Sequence, residues 1–196
     1  MTPNSKPQAS RQKVEVAALA AWKESGQQAQ AFPTTYVFAV RGYYQDSMGK
    51  VGANDTGIYD DAVFIITPEH FSTWNANTDP SRYGLRPEGR KYLARLKPGV
   101  WSFTRLKHKI TSPRGYMAFG QGSKAVTVER IKADGTVAQT ESGHFGINLH
   151  RGGTAGTSSE GCQTIPPTQW GDFDTTLADI IGGNRFPYIL TDQPIA

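Results

Sequence analysis

Apolar positions along this chain fall mostly in short runs or alternate with polar ones, the pattern of β-strands, and only two stretches carry a helical period. Residues 35–40 (TYVFAV), bounded by Gly42, predict a buried strand. Residues 58–67 predict a second, apolar towards its end, and residues 99–105 alternate as a half-buried strand should. Residues 116–121 make a shorter candidate. Residues 126–131 and 136–140 flank Asp134-Gly135, a hairpin signal. Residues 144–150 and 185–191 complete the set.

The first helical stretch covers residues 11–30, with Ser10 as its cap and Val14, Ala17, Ala18, Ala21 and Trp22 as its apolar face. Phe32-Pro33 ends it. Being rich in Ala and Gln, it is expected to pack loosely or act as an arm, behind a disordered tail over residues 1–9. The second opens at Pro166-Pro167. It sets Trp170, Phe173, Leu177, Ile180 and Ile181 at helical spacing and stops at Gly182-Gly183. Residues 45–57 read as a polar, glycine-containing loop. Residues 73–88, with Asn75, Asn77, Asp79-Pro80 and Pro87, have turn chemistry and predict an ordered surface loop. The expected organisation is a tail and helical arm over residues 1–31, then one β-rich α+β domain over residues 32–196.

Composition agrees with this. The 196 residues are 37% hydrophobic and 19% charged, with 21 Gly and 12 Pro, which favours a turn-rich β or α+β protein over a helical bundle. The net charge of +4 suits an acidic polymer, whether bacterial wall or nucleic acid. The basic residues are scattered, so no nucleic-acid partner is expected. No stretch approaches the roughly 20 apolar residues of a membrane span. Glu15 interrupts the best apolar stretch near the N-terminus, so no secretory signal is read there.

The candidate chemistry lies in residues 145–165 (FGINLHRGGTAGTSSEGCQTI). They hold the single cysteine, Cys162, twelve positions after His150. One cysteine excludes an internal disulfide and a multi-cysteine zinc site. A thiol needs a base to become a good nucleophile, and imidazole is the usual one. Gly161 permits a tight turn, and backbone N–H groups around Gly161 and Cys162 could receive an oxyanion. Ser159 is a candidate orienter or turn-former. Arg151 could hold a substrate carboxylate in a bidentate contact. His108, His144 and Gly152 are candidate substrate contacts, with a sheet-surface place as the competing reading of His144. His70 is expected in solvent. Asp60-Asp61 reads as a polar pair at a strand edge, and Trp74, Asn75, Asn77 and Asp79 as turn-formers or the border of a groove.

The strand residues Ile147 and Leu149, then His150, Gly152, Gly153, Ser159, Gly161 and Cys162, resemble the active-site motif of the L,D-transpeptidase (YkuD-type) family. The family often has Arg or Asn soon after the cysteine, where Gln163 and Thr164 stand here. The resemblance spans about 20 residues. It implies an L,D-transpeptidase-like β-sandwich or barrel with a helix after the cysteine, no cofactor and no metal. It further implies Cys162 as nucleophile and His150 as base, with peptidoglycan stem peptides as substrate.

Three functions follow as expectations. The first is cysteine-dependent acyl transfer or hydrolysis on stem peptides. The second is a non-catalytic wall-binding or structural module on the same fold. The third is a metallopeptidase in which His144, His150 and Cys162 hold zinc. Without a leader, a wall enzyme would be made in the cytoplasm and delivered to the periplasm or wall, as a phage lysis or virion protein or a secreted effector would be. A delivery or immunity protein would then be a partner, and the chain itself a monomer.

Overall fold

The computed structural model describes residues 1–109 and 112–195. Their order is α1 (Arg11–Glu24), β1 (Tyr36–Val40), β2 (Asp61–Ile66), β3 (Phe71–Ala76), β4 (Leu93–Leu96), β5 (Gly99–His108), β6 (Tyr116–Gly120), β7 (Val126–Ile131), β8 (Val137–Gly143), β9 (Asn148–Arg151), β10 (Gln163–Ile165), α2 (Pro167–Ile181) and β11 (Phe186–Thr191). The protein is mainly β.

Eight strands form one sheet in the order β10-β9-β6-β5-β11-β1-β2-β3. Its two ends meet, because Asn77 and Thr164 exchange backbone hydrogen bonds of 2.8 Å in both directions. That exchange curls the sheet into a nearly closed barrel. A smaller sheet, β4-β7-β8, packs beside it.

Every residue of β1 and β2 is buried. Alternate side chains on a strand face opposite sides, so both faces of these strands must be covered. Val37, Ala39, Val63 and Ile65 point into a core shared with Trp74, Phe119, Leu149 and the apolar stripe of α2. That stripe is Trp170, Phe173, Leu177 and Ile181, as its spacing predicts. Tyr36, Phe38, Val40, Phe64 and Ile66 point the other way, onto Val14, Ala18, Ala21 and Trp22 of α1.

The first helix is therefore not a loose arm. It supplies one wall of a second core, and no packing boundary falls at residue 31. It is also shorter than expected, closing at Ser25, whose N–H bonds to Ala21 O, before Gly26 at φ 82°. Nor is the segment before it a disordered tail. Tyr59 N donates to Met1 O, Asn75 Nδ2 to Ser5 O, and Gln8 N and Ala9 N to Tyr43 OH, while Pro7 is buried.

Two other expectations are corrected. Residues 73–80 are not a surface loop, because β3 occupies their start and Asn75, Asn77, Thr78 and Asp79 are fully buried; the expected loop is confined to residues 81–88. The strand expected over residues 144–150 begins only at Asn148. Before it the chain bends around Gln121, whose Oε1 accepts both Phe145 N and Ile147 N at 3.0 Å.

Candidate active site

β9 and β10 run parallel, with Gln163 opposite Leu149 and Thr164 opposite His150. Leu149 enters the core, so Asn148 and His150 both face the other way. Continuing the register by one residue sets Cys162 beside Asn148. His108 ends β5 and pairs with Tyr116, the first residue of β6. These strand ends enclose a cleft of about 460 Å³ lined by His108, Lys109, Tyr116, His150, Arg151, Gly152, Ser158, Glu160 and Cys162.

The turn that presents the thiol is tightly specified. Ser159 Oγ donates to Cys162 O at 2.6 Å and accepts Gly161 N at 3.0 Å. Ser159 is itself fixed by Ser81, which accepts Ser159 N at its Oγ (2.7 Å) and donates its own N–H to Ser159 O (2.8 Å). Gly161 has φ 147°, and a Cβ there would strike the carbonyl of Ala94 on β4. Only glycine fits. Gln163 is buried, bonded by its Nε2 to Thr78 O and Gly161 O and by its Oε1 to Tyr188 OH. It supports the turn from beneath and does not face the cleft. Because Ser159 Oγ accepts the Gly161 N–H, that expected oxyanion donor is already engaged.

His150 is buried, and its Nδ1 lies 2.7 Å from Arg151 O, with Tyr116 OH at 3.4 Å. A carbonyl only accepts, so Nδ1 carries the proton and Nε2 carries the free lone pair. Burial, then the neighbouring His108 and Lys109, push the His150 pKa down to about 4, against the opposing bond to Arg151 O. Burial and Lys109 lower His108 as well.

Cys162 is half-buried and donates to Gly146 O at 3.5 Å. Burial pushes its thiol up to about 11 and Glu160 adds to this, while the Asn148 N–H opposes it. A raised thiol and a lowered imidazole are both neutral near pH 7, and neither group is among the causes that shift the other. A cysteine acting as nucleophile from this state would need a base to remove the proton as the sulfur bonds to carbon.

The cleft wall carries both charge signs. Arg151 is exposed, with its guanidinium 5.3 Å above the Tyr116 ring, and Lys109 lies beside His108. Glu160 stands on the cysteine turn. Gly152 lines the cleft for a packing reason, since a Cβ there would collide with the hydroxyl of Tyr59, which donates to Gly153 O at 2.7 Å.

His144 lies outside the cleft. It is exposed, and its Nε2 faces Ser123 O at 3.0 Å, because the bend at Gln121 breaks the strand that would have aligned it with His150. His144, His150 and Cys162 thus do not converge, and among the described residues no three His, Cys, Asp or Glu side chains are placed to hold a metal ion. His70 is not free in solvent but bonds Ser72 Oγ. Trp74 and Asn75 border no groove; they are buried beneath α2 and bond to Asp172 and Gln169.

Asp60 and Asp61 are buried rather than at a strand edge, close to Asp79 and its ion-pair partner Arg41 at 3.4 Å. Burial raises the pKa of both Asp60 and Asp61.

Tyr116, Lys109, Ser158 and Glu160 line the cleft and Asn148 bonds to one of its histidines, none of them singled out by the sequence. Glu160 and Asn148 had a local signal, since they adjoin Cys162 and His150. Tyr116 and Lys109 arrive only through the pairing of β5 with β6 and of β6 with β9. No protein-family model matches the chain, and comparison with curated proteins finds no match.

Proposed function

We propose that this protein is a cysteine-dependent acyltransferase or hydrolase acting on peptidoglycan stem peptides. The observation that carries the reading is that Cys162 and His150 line one cleft, with the His150 tautomer set so that Nε2 is the basic nitrogen. The resemblance of residues 147–162 to the L,D-transpeptidase motif supplies the substrate class.

In this reading the substrate amide carbonyl seats beside the Cys162 N–H. His150 Nε2 takes the thiol proton as sulfur bonds to the carbonyl carbon. The N–H receives the oxyanion, and the tetrahedral adduct collapses, expelling the amine with the proton from imidazolium. The thioester is then attacked by water or by a second amine, again with His150 as base, and Cys162 regains its proton. Arg151 and Lys109 on the histidine side suit a carboxylate of the substrate, and Glu160 on the cysteine side suits an ammonium.

One feature favours the non-catalytic wall-binding reading: the thiol donates to Gly146 O rather than to His150. Mass spectrometry of muropeptides incubated with the protein and with Cys162→Ala separates the two. New crosslinked or trimmed products with the first and none with the second support the enzyme. Equal products from both, or none from either, overturn it.

A further inference from the structure

The acyl-transfer scheme uses one histidine, yet the cleft holds two in contact. The ring of His108 lies on the ring of His150, with centroids 4.2 Å apart and planes 16° from parallel. Two imidazoles this close repel strongly if both are protonated. His108 Nδ1 lies 3.0 Å from Asn148 Nδ2. An amide nitrogen only donates, so His108 Nδ1 accepts and its proton sits on Nε2, which makes the ring neutral. Asn148 stands two residues before His150 on β9 and shares its face. One short strand therefore carries the base and also the side chain that ties down the ring stacked upon it.

We propose that His108, anchored by Asn148, is a positioning residue that fixes the ring plane of His150 and keeps it an uncharged base, rather than a substrate contact. The proposal rests on the Cys162–His150 reading above. His150 is gripped at its edge by Arg151 O and Tyr116 OH, and on its face by His108. Turning the ring would break both grips. The other charged or titratable groups around it are Lys109 from the end of β5, Tyr116 from β6, Arg151 beside it on β9, and Glu160 and Cys162 from the cysteine turn. Glu160 is the one carboxylate among the described cleft residues, and it stands on the cysteine side. Among the described residues no anion orients His150 as in a catalytic triad, and a neutral stacked ring takes that place. The expected result is a base that stays competent into the acid range, where an acid-paired histidine would be protonated.

Two measurements on the full chain test this: NMR titration of the ring protons of His150, and pH profiles of kcat and KM on muropeptides. They are made for wild type, His108→Ala, His108→Phe and Asn148→Ala. In His108→Ala the face of His150 opens to water. Its titration should move up towards the free-histidine range, the acid limb should move with it, and kcat should fall about tenfold or more while KM changes less than about twofold. His108→Phe restores a flat, dry ring and should recover most of that loss. Asn148→Ala should fall between them. A His108→Ala enzyme with raised KM and unchanged kcat would make His108 a substrate contact and overturn the proposal. An unmoved His150 titration would also overturn it. If wild type turns over no muropeptide, the acyl-transfer reading fails, and the NMR titrations still decide whether His108 governs His150. If His108→Ala does not fold, the shift in Asn148→Ala decides: movement supports the proposal and none overturns it.

Discussion

The hydroxyl of Ser159 donates to the carbonyl of Cys162 at 2.6 Å, so the residue three positions before the cysteine closes the turn that presents its thiol. The same hydroxyl accepts from Gly161 N. Ser159→Ala leaves a buried N–H and a buried carbonyl without their partner, which should cost about 1–3 kcal/mol of stability. It should also lower kcat with little change in KM, because the thiol loses its fixed direction. Urea denaturation and steady-state kinetics check both. Wild-type stability and kcat in the variant would mean that Ser81 and Gln163 hold the turn without the hydroxyl.

The protonation states at the site predict how the thiol responds to alkylating agents. With Cys162 near 11 and His150 near 4, thiolate at pH 7 is on the order of 10⁻⁴ of the total. Alkylation by iodoacetamide should be slow at neutral pH and rise about tenfold per pH unit towards pH 10, with no plateau in the acid range. His150→Ala should leave this profile nearly unchanged while slowing turnover about a hundredfold or more. Rapid, pH-independent alkylation between pH 5 and pH 8 would reveal a preformed ion pair and remove the general-base step.

Cys162 and His150 could be read from the sequence because their signal is local: a histidine ending a strand, and small residues leading to one cysteine. The second helix was equally plain, since Trp170, Phe173, Leu177 and Ile181 keep one period. The third strand was hidden because Asn75 and Asn77 carry turn chemistry, which here is overridden by long-range partners: Tyr44, Gln169 and Thr164. The first helix was misjudged for a related reason. Ala18 and Ala21 bury little area each, and nothing in their own segment says that Phe38 and Phe64 lack another cover. That His144 leaves the cleft turns on the bend at Gln121, a single side-chain amide, and that His108 enters it turns on the pairing of β5 with β6.

The covering role of α1 sets a clear expectation for truncation. Removing residues 1–30 exposes Tyr36, Phe38, Phe64 and Ile66, and forfeits the burial of Val14 and Trp22, each worth about 1.5–3 kcal/mol. Against a total stability on the order of 5–15 kcal/mol, that loss should unfold or aggregate the remainder. The point substitution Trp22→Ala should cost about 3–5 kcal/mol and leave the activity of the folded fraction unchanged. A soluble truncated chain with an unaltered melting temperature would return the helix to the status of an arm.

The buried carboxylates give a prediction with a definite sign. Burial, helped by the charges of Asp79 and Asp55, raises Asp60 to about 7, and its Oδ1 has no partner. In the unfolded chain an aspartate titrates near 3.9. Between about pH 4 and pH 7 the folded protein thus holds a proton that the unfolded chain has released, and stability falls as pH rises through that window. Asp60→Asn removes this penalty. Relative to wild type it should gain little at pH 4 and on the order of 4 kcal/mol at pH 8. Asp61 is the contrasting case. Its two oxygens accept Gly42 N and Thr78 N, each at 2.5 Å, so an amide in its place would turn an NH₂ group against a backbone N–H. Asp61→Asn should destabilise by about 1–3 kcal/mol at pH 4 and by less at pH 8, because burial raises Asp61 as well and the amide escapes that penalty. Urea denaturation of the three proteins at pH 4 and pH 8 is sufficient. A difference between Asp60→Asn and wild type that does not grow with pH would show that Asp60 is ionised throughout.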